Sequence, residues 1–378
     1  MRGNKDYSAY NKDSVRQIHM FWRCTLIIIM KHGSSEEEKG HVIDRLTALG
    51  YGSNVSGVEQ TVIGAIGVLD RDREGLLEQL GALPYVERVV PVLKRYKLAS
   101  REFRAEPTVV KVGQAGQGVT IGGDSLVVMA GPCSVESREQ LMETAQAVRD
   151  AGATMLRGGA YKPRTSPYEF QGYGVEGLEL LAEARDRFGL PVVTEVMDPH
   201  DVETVCRYAD MLQIGARNMQ NYTLLREVGR ARTPVLLKRG GMYPTIENWL
   251  LAAEYILAGG NADVVLCERG LPPYGDTNLR RNVLDLTAIP IVKELSHLPV
   301  IADPSHGTGK SALVPPLARA SITVGADGLM IEVHPDPERA LSDGAQSLDI
   351  PTFERLMRAL PALAAVEGRR MAGAGVMA

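Results

Sequence analysis

Four residues of contrasting softness could hold one metal ion: Cys133 in GPCSVE, His306 in DPSHGTG, Glu332 in IEVHPDPE and Asp343 in SDGAQS. A thiolate, an imidazole and two carboxylates form a mixed donor set that suits Mn²⁺, Fe²⁺, Co²⁺ or Zn²⁺ better than Mg²⁺. Taken singly, Cys133 reads as a small buried hydrophobe and His306 as a satisfied polar residue. The set carries the reading. His334, two residues beyond Glu332, is a rival ligand or a support for one.

A second group is cationic. LRGGAYKPRTSPY brings Arg157, Lys162 and Arg164 close together, IGARNMQN brings Arg217, LLKRGG brings Lys238 and Arg239, and CERG brings Arg269. Arginine forks match phosphate and carboxylate oxygens, while lysine acts as a point charge. Each alone is an ordinary solvated charge; gathered at one mouth they repel unless anions fill it. Gly158, Gly159 and Gly215 would let backbone come close to a ligand. Glu195 in VTEV is the acid within this basic ring. It reads either as a partner that orients the cations or as the group that orients or deprotonates a water.

One fold would gather all of these. Short β-rich apolar runs recur at 126–130, 154–156, 191–195, 211–214, 234–238, 263–267, 299–302 and 328–332, separated by amphipathic stretches such as 138–151, 175–188 and 245–258. Eight strand-then-helix units in about 250 residues are what a (β/α)₈ TIM barrel requires, and its active site forms at the C-terminal strand ends. Cys133, His306 and Glu332 then follow strands one, seven and eight, with Asp343 on the loop after strand eight. Strands one and eight are neighbours in a closed barrel, so the four converge. The competing fold, a doubly wound open sheet, is weakened because no GxGxxG follows a strand.

Ahead of the barrel, residues 24–93 read as β-α-β-β-α-β, a small α+β ferredoxin-like unit. Its strands are expected at 25–30, 52–56, 61–69 and 86–93. One helix is capped by Ser34 or Ser35 with Glu36, Glu37 and Glu38 in its first turn, and another spans 74–83. The expected division is a disordered extension over 1–22, the ferredoxin-like domain over 23–93, a linker over 94–108 and the barrel over 109–378.

Composition sets the outer limits. Of 378 residues 44% are hydrophobic and 23% charged, with a net charge of −4, which lends no support to nucleic-acid binding. The four cysteines are widely spaced with no CxxC pair, which argues against a disulfide framework and for a reducing cytoplasm. The longest apolar run, 26–30, is far short of the ~20 residues of a membrane helix.

The motifs GPCSVE, LRGGAYKPRTSP, QIGARNMQN, LLKRG, CERG, DPSHGTG and SDGAQS resemble those of the 3-deoxy-D-arabino-heptulosonate 7-phosphate (DAHP) synthases. The match is to the short-barrel branch with an N-terminal ferredoxin-like regulatory domain, and it covers roughly residues 24–365. The resemblance implies a transferase of the shikimate pathway that condenses phosphoenolpyruvate with erythrose 4-phosphate. It makes Cys133, His306, Glu332 and Asp343 the ligands of a divalent metal, Mn²⁺ first among the candidates. It assigns phosphoenolpyruvate to Arg157, Lys162, Arg217 with Ala216, Lys238 and Arg269, and the sugar phosphate to Arg164 and Thr165. It further implies a cytoplasmic homotetramer and tyrosine or phenylalanine as effector.

The sister family of 3-deoxy-octulosonate-8-phosphate synthases, which take arabinose 5-phosphate, usually reads Lys-Ala-Asn-Arg where this chain has Lys162-Pro163-Arg164-Thr165. The segment GLPPYGDTNLR at 270–280 lacks the Ile-Arg-Thr that commonly follows CERG, and GMYPTIEN is one residue longer than usual. On chemical grounds Lys162 is placed to protonate the developing alkoxide and Glu195 to handle water at C2. Two rivals remain from the residues alone: a non-catalytic amino-acid sensor, and an aldolase using Lys238 as a Schiff base.

Overall fold

A computed structural model of the chain describes residues 24–56, 61–91, 95–113, 118–164, 166–275 and 278–372. The expected extension over 1–22 lies outside the described residues, as does Thr165. The chain falls into two compact units that meet in sequence at Lys97 and Leu98.

The first unit runs β1 (Cys24–Met30), α1 (Glu36–Ala48), β2 (Gly52–Ser56), β3 (Val62–Ile66), α2 (Asp70–Gly81) and β4 (Val86–Pro91). Its sheet order is β2-β3-β1-β4, with β1 antiparallel to both β3 and β4, as the βαββαβ reading requires. Ser35 starts α1 through a reciprocal capping box: the Glu38 amide donates to Ser35 Oγ at 3.2 Å, and the Ser35 amide donates to Glu38 Oε2 at 2.7 Å. This satisfies two of the amide donors that every helix start leaves open. Alternate residues Leu26, Ile28 and Met30 pack with Val42, Leu46 and Leu80 from the two helices. Helix α2 begins at Asp70, four residues before the expected start, because the polar run DRDR forms its first turn rather than a loop.

The second unit opens with a hairpin, β5 (Val110–Val112) against β6 (Val119–Ile121). The barrel strands follow: β7 (Ser125–Gly131), β8 (Met155–Arg157), β9 (Val192–Glu195), β10 (Met211–Ile214), β11 (Val235–Lys238), β12 (Val264–Glu268), β13 (Val300–Ala302) and β14 (Gly328–Glu332). Each pairs in parallel with the next, and β14 pairs with β7 to close the barrel. Helices α3 (Arg138–Asp150), α4 (Val175–Phe188), α5 (Val202–Tyr208), α6 (Tyr222–Arg230), α7 (Ile246–Ala258), α8 (Ala288–Leu295), α9 (Pro304–Thr308), α10 (Val314–Thr323) and α11 (Ile350–Val366) lie between and after them. A last short strand, β15 (Arg370–Met371), pairs with the start of β7. Because helices cover the outside and side chains fill the inside, the strands are apolar on both faces. No helix among the described residues is long and apolar enough to cross a membrane.

Val110, Val112 and Ile121 of the hairpin pack on inward-facing Val127 and Val265, so the hairpin seals the end of the barrel opposite the strand C-termini. Residues 98–108, read from sequence as part of a linker, are bonded to the barrel. The buried Glu254 carboxylate on α7 accepts from the amides of Leu98 and Ala99, each at 2.9 Å. His297 bridges Leu98 O at 2.6 Å and the Thr108 hydroxyl at 2.7 Å. Their charged composition hid this because the anchors lie some 150 to 200 residues away in sequence.

Candidate active site

The period-two alternation of a strand decides which residues reach the barrel mouth. Met129, Met155, Val193, Met211, Leu236, Cys267, Ile301 and Met330 all point into the interior. Two residues further along each strand stand Gly131, Arg157, Glu195, Gln213, Lys238, Arg269, Asp303 and Glu332. Thus an apolar layer is followed directly by one that is polar at every strand but the first.

The signs in this upper layer are paired. Arg157 Nη1 donates to Glu332 Oε1 at 2.8 Å and also to Pro132 O at 2.8 Å. Lys238 Nζ donates to Asp303 Oδ2 at 2.7 Å, and Gln213 Nε2 to Glu195 Oε2 at 3.0 Å. Burial alone would push Glu332 up; His306 and Arg157 hold it below the ordinary carboxylate range. Burial acts the same way on Asp303, and His306 with Lys238 hold it well below that range. Arg269 is the exception. Among the described residues no carboxylate is hydrogen-bonded to it, its buried Nε has no partner, as is also true of Arg157 Nε, and desolvation lowers its pKa against the pull of Asp303. A buried guanidinium left short of acceptors is poised for an anionic ligand.

Above this layer the sequence-predicted donors meet. The Cys133 sulfur and one carboxylate oxygen each of Glu332 and Asp343 lie within 4.8 Å of one another. His306 Nε2 faces them, 3.4 Å from Glu332 Oε1 and 3.9 Å from Asp343 Oδ2. Its other nitrogen, Nδ1, lies 2.8 Å from Asp303 Oδ2, so the ring is oriented with Nε2 toward the cluster, as supporting carboxylates do for metal-bound imidazoles. Lys162 Nζ lies 3.0 Å from Cys133 Sγ and 3.0 Å from Cys133 O. Burial, with Glu332 adding to it, pushes the Cys133 thiol up to about 11. A divalent ion would reverse that balance, since a coordinating thiol is deprotonated outright. The donor chemistry therefore fits a transition metal.

Asp343 reaches the cluster from an unusual backbone. With φ at 52° it is the one non-glycine with positive φ among the described residues. Such strain persists where the surroundings over-determine it, and it gathers at functional sites. Arg281 Nη1 braces the loop, donating to Asp343 Oδ1 at 3.0 Å and Gln346 Oε1 at 2.9 Å, while Gln346 Nε2 donates to Glu332 Oε2 at 2.5 Å.

Arg157, Lys162, Arg164, Glu195, Ala216, Arg217, Lys238, Arg269, His306 and Asp343 all line one cavity, with Arg281 and Gln213. Arg217 is exposed and donates to Pro163 O at 2.7 Å, which ties two of the mouth loops together. Arg164 donates to Phe170 O at 3.1 Å through Nε, while its buried Nη2 has no partner among the described residues.

Two sequence readings change. Arg239 is not in the cavity: it is buried and donates to Glu268 Oε2 and Asp285 Oδ2, each at 2.9 Å. Adjacent strand residues face opposite ways, so with Lys238 inward Arg239 must face the helices. His334 is not with the donors either; its Nε2 lies 3.3 Å from Glu136 Oε2, and its Nδ1 accepts from the Asp336 amide at 3.0 Å. Gly215 lines the cavity, and the glycines also make room for atoms of the chain itself. A Cβ on Gly215 would stand 2.0 Å from Glu195 Oε1, and one on Gly159 would stand 2.8 Å from Lys162 Cδ. Asp303, Gln213 and Arg281 were not singled out from sequence. For the first two the signal existed, since each lies two residues beyond an interior apolar residue.

Residues 107–365 match the family model described as "DAHP synthetase I family", and residues 26–94 match "DAHP synthase ferredoxin-like domain". The chain is 50% identical over 340 residues to a phospho-2-dehydro-3-deoxyheptonate aldolase of Thermotoga maritima, covering 90% of this chain and 98% of that one. A crystal structure of the Thermotoga maritima enzyme of that name superposes with a TM-score of 0.71 at 48% identity, covering 92% of this chain and 99% of the other. A 2-dehydro-3-deoxyphosphooctonate aldolase of Rhodopseudomonas palustris is more distant, 36% identical over 67% of this chain and 92% of its own length.

Proposed function

Because the chain belongs to the DAHP synthetase I family, we infer from its barrel mouth how it joins phosphoenolpyruvate to a phosphorylated aldose. The reaction condenses phosphoenolpyruvate, erythrose 4-phosphate and water to DAHP and inorganic phosphate, the first step of the shikimate pathway. One observation carries the assignment of roles: a cationic wall with an unsatisfied Arg269 shares a cavity with the edge of a thiol–carboxylate–imidazole cluster.

Arg157, Lys162, Arg217, Lys238 and Arg269 hold the carboxylate and phosphate of phosphoenolpyruvate, with Ala216 at the turn that carries Arg217. Arg164, with Thr165, holds the phosphate of the sugar. Cys133, His306, Glu332 and Asp343 are the residues that would hold a divalent ion, Mn²⁺ first, then Fe²⁺, Co²⁺ or Zn²⁺. When bound, such an ion supplies Lewis acidity toward the aldehyde oxygen. C3 of phosphoenolpyruvate bonds to the aldehyde carbon, and Lys162 gives its proton to the alkoxide that forms. Glu195, held by Gln213, orients water toward C2 and takes its proton; phosphate then leaves with its C–O bond broken. Much of the acceleration comes from fixing two anions in one cavity, an effect worth up to ~7–11 kcal/mol at near-attack geometry.

The measurement that tests this is phosphate release with each sugar in turn. Erythrose 4-phosphate is expected to be strongly preferred over arabinose 5-phosphate. Arg164→Ala should raise the KM for the sugar by about 10- to 100-fold, as loss of a charge-assisted hydrogen bond predicts, and that for phosphoenolpyruvate far less. Equal use of both sugars would move the chain to the phosphooctonate enzymes.

The ferredoxin-like unit is the regulatory part, and its effector is tyrosine or phenylalanine in a cytoplasmic homotetramer. A chain starting at Leu98 should keep turnover and lose inhibition by either amino acid. Starting at Arg104 would remove the Leu98 and Ala99 amides from the buried Glu254 and unfold more readily. Indifference of the intact enzyme to both amino acids would overturn the regulatory reading.

A further inference from the structure

Asp303 stands in neither of the residue sets just named, yet it touches both. Its side chain is fully buried. Oδ2 accepts from Lys238 Nζ at 2.7 Å and lies 2.8 Å from His306 Nδ1. Oδ1 accepts from the His306 amide at 3.0 Å, which caps α9 and fixes where the imidazole begins. A single oxygen is therefore shared between a cation of the anion-binding wall and an imidazole of the donor cluster. Among the described residues Asp303 is the only hydrogen-bond partner of the Lys238 ammonium.

Resting on the roles proposed above, we propose that Asp303 is a positioning residue that couples the phosphoenolpyruvate site to the metal site through this shared oxygen. An anion drawn to Lys238 competes with Asp303 for the ammonium. The carboxylate is then freer to polarise His306, and a more basic imidazole is the better ligand. Phosphoenolpyruvate should thus tighten the metal, and by linkage the metal should tighten phosphoenolpyruvate by the same factor. Lys238 alone pulls the other way, because it withdraws charge from the oxygen that supports His306.

The test uses the full-length, metal-free protein and Mn²⁺ binding by calorimetry, with and without phosphoenolpyruvate. In Asp303→Asn, Mn²⁺ should bind ~10–100-fold more weakly, the usual loss when the support of a metal-bound imidazole is removed. The ratio of Mn²⁺ affinities with and without phosphoenolpyruvate should also fall toward one. Lys238→Met leaves every donor in place, so it should weaken phosphoenolpyruvate while tightening Mn²⁺ in its absence. An unchanged ratio in Asp303→Asn, or unchanged Mn²⁺ affinity in Lys238→Met, overturns the coupling; the second variant decides should the first not fold. If the wild-type protein binds no phosphoenolpyruvate at all, it is the functional reading that fails.

Discussion

Cys133→Ser should leave a folded barrel with almost no turnover at micromolar Mn²⁺. The residue is only 2% exposed, and Ser342 Oγ and Lys162 Nζ stand at 3.1 Å and 3.0 Å to bond a hydroxyl in place of the thiol, so the fold has little to lose. The metal has much to lose. Sulfur is the one soft donor in the set, and a serine hydroxyl neither ionises readily nor matches a transition metal. Metal affinity should fall by more than ~100-fold, beyond the range that a merely supporting residue costs. The wild-type protein, stripped with a strong chelator, should be equally inactive and recover with Mn²⁺ or another transition metal. Turnover by stripped wild-type protein at its original rate would remove the metal from the mechanism.

Lys162→Met should separate chemistry from metal binding. The ammonium lies against the sulfur and carbonyl of Cys133, and methionine keeps most of the stem while removing the proton donor. Losing a positioned general acid costs ~10²–10⁴-fold in kcat. Mn²⁺ affinity should hold or rise, because a cation beside the donor sulfur is gone. The contrast with Cys133→Ser is the useful part: there affinity and turnover fall together, here only turnover does. A kcat within tenfold of the wild type would send the search for the proton donor elsewhere.

The barrel was legible because its strands are buried on both faces. Each appears as a short apolar run with a polar or reactive residue just beyond it, and β10 and β14 have the bounds that the sequence suggested. The meeting of Cys133, Glu332 and Asp343 followed from the adjacency of β14 and β7 in a closed barrel. What the runs did not reveal was direction. LLKRG and CERG each carry neighbouring charges, and only the alternation set by Leu236 and Cys267 sends Lys238 and Arg269 to the cavity while turning Arg239 and Glu268 toward each other. Asp303 escaped notice because its role depends on two partners, one of them 65 residues away. The anchoring of residues 98–108 by Glu254 and His297 was hidden for the same reason.

The left-handed backbone at Asp343 bears on how this position can evolve. Few side chains tolerate that conformation: glycine freely, asparagine and aspartate at modest cost. Glycine would relax the loop but brings no oxygen, and asparagine brings an oxygen without the charge. β-branched or bulky residues would bring more strain still. Glutamate, the other carboxylate, lacks the short side chain that suits the left-handed region. The geometry of the loop and the chemistry of the cluster therefore each restrict the alphabet, and aspartate is the one residue where the two short lists overlap. Glycine would relieve the backbone strain here, so what favours aspartate is the use of its charge.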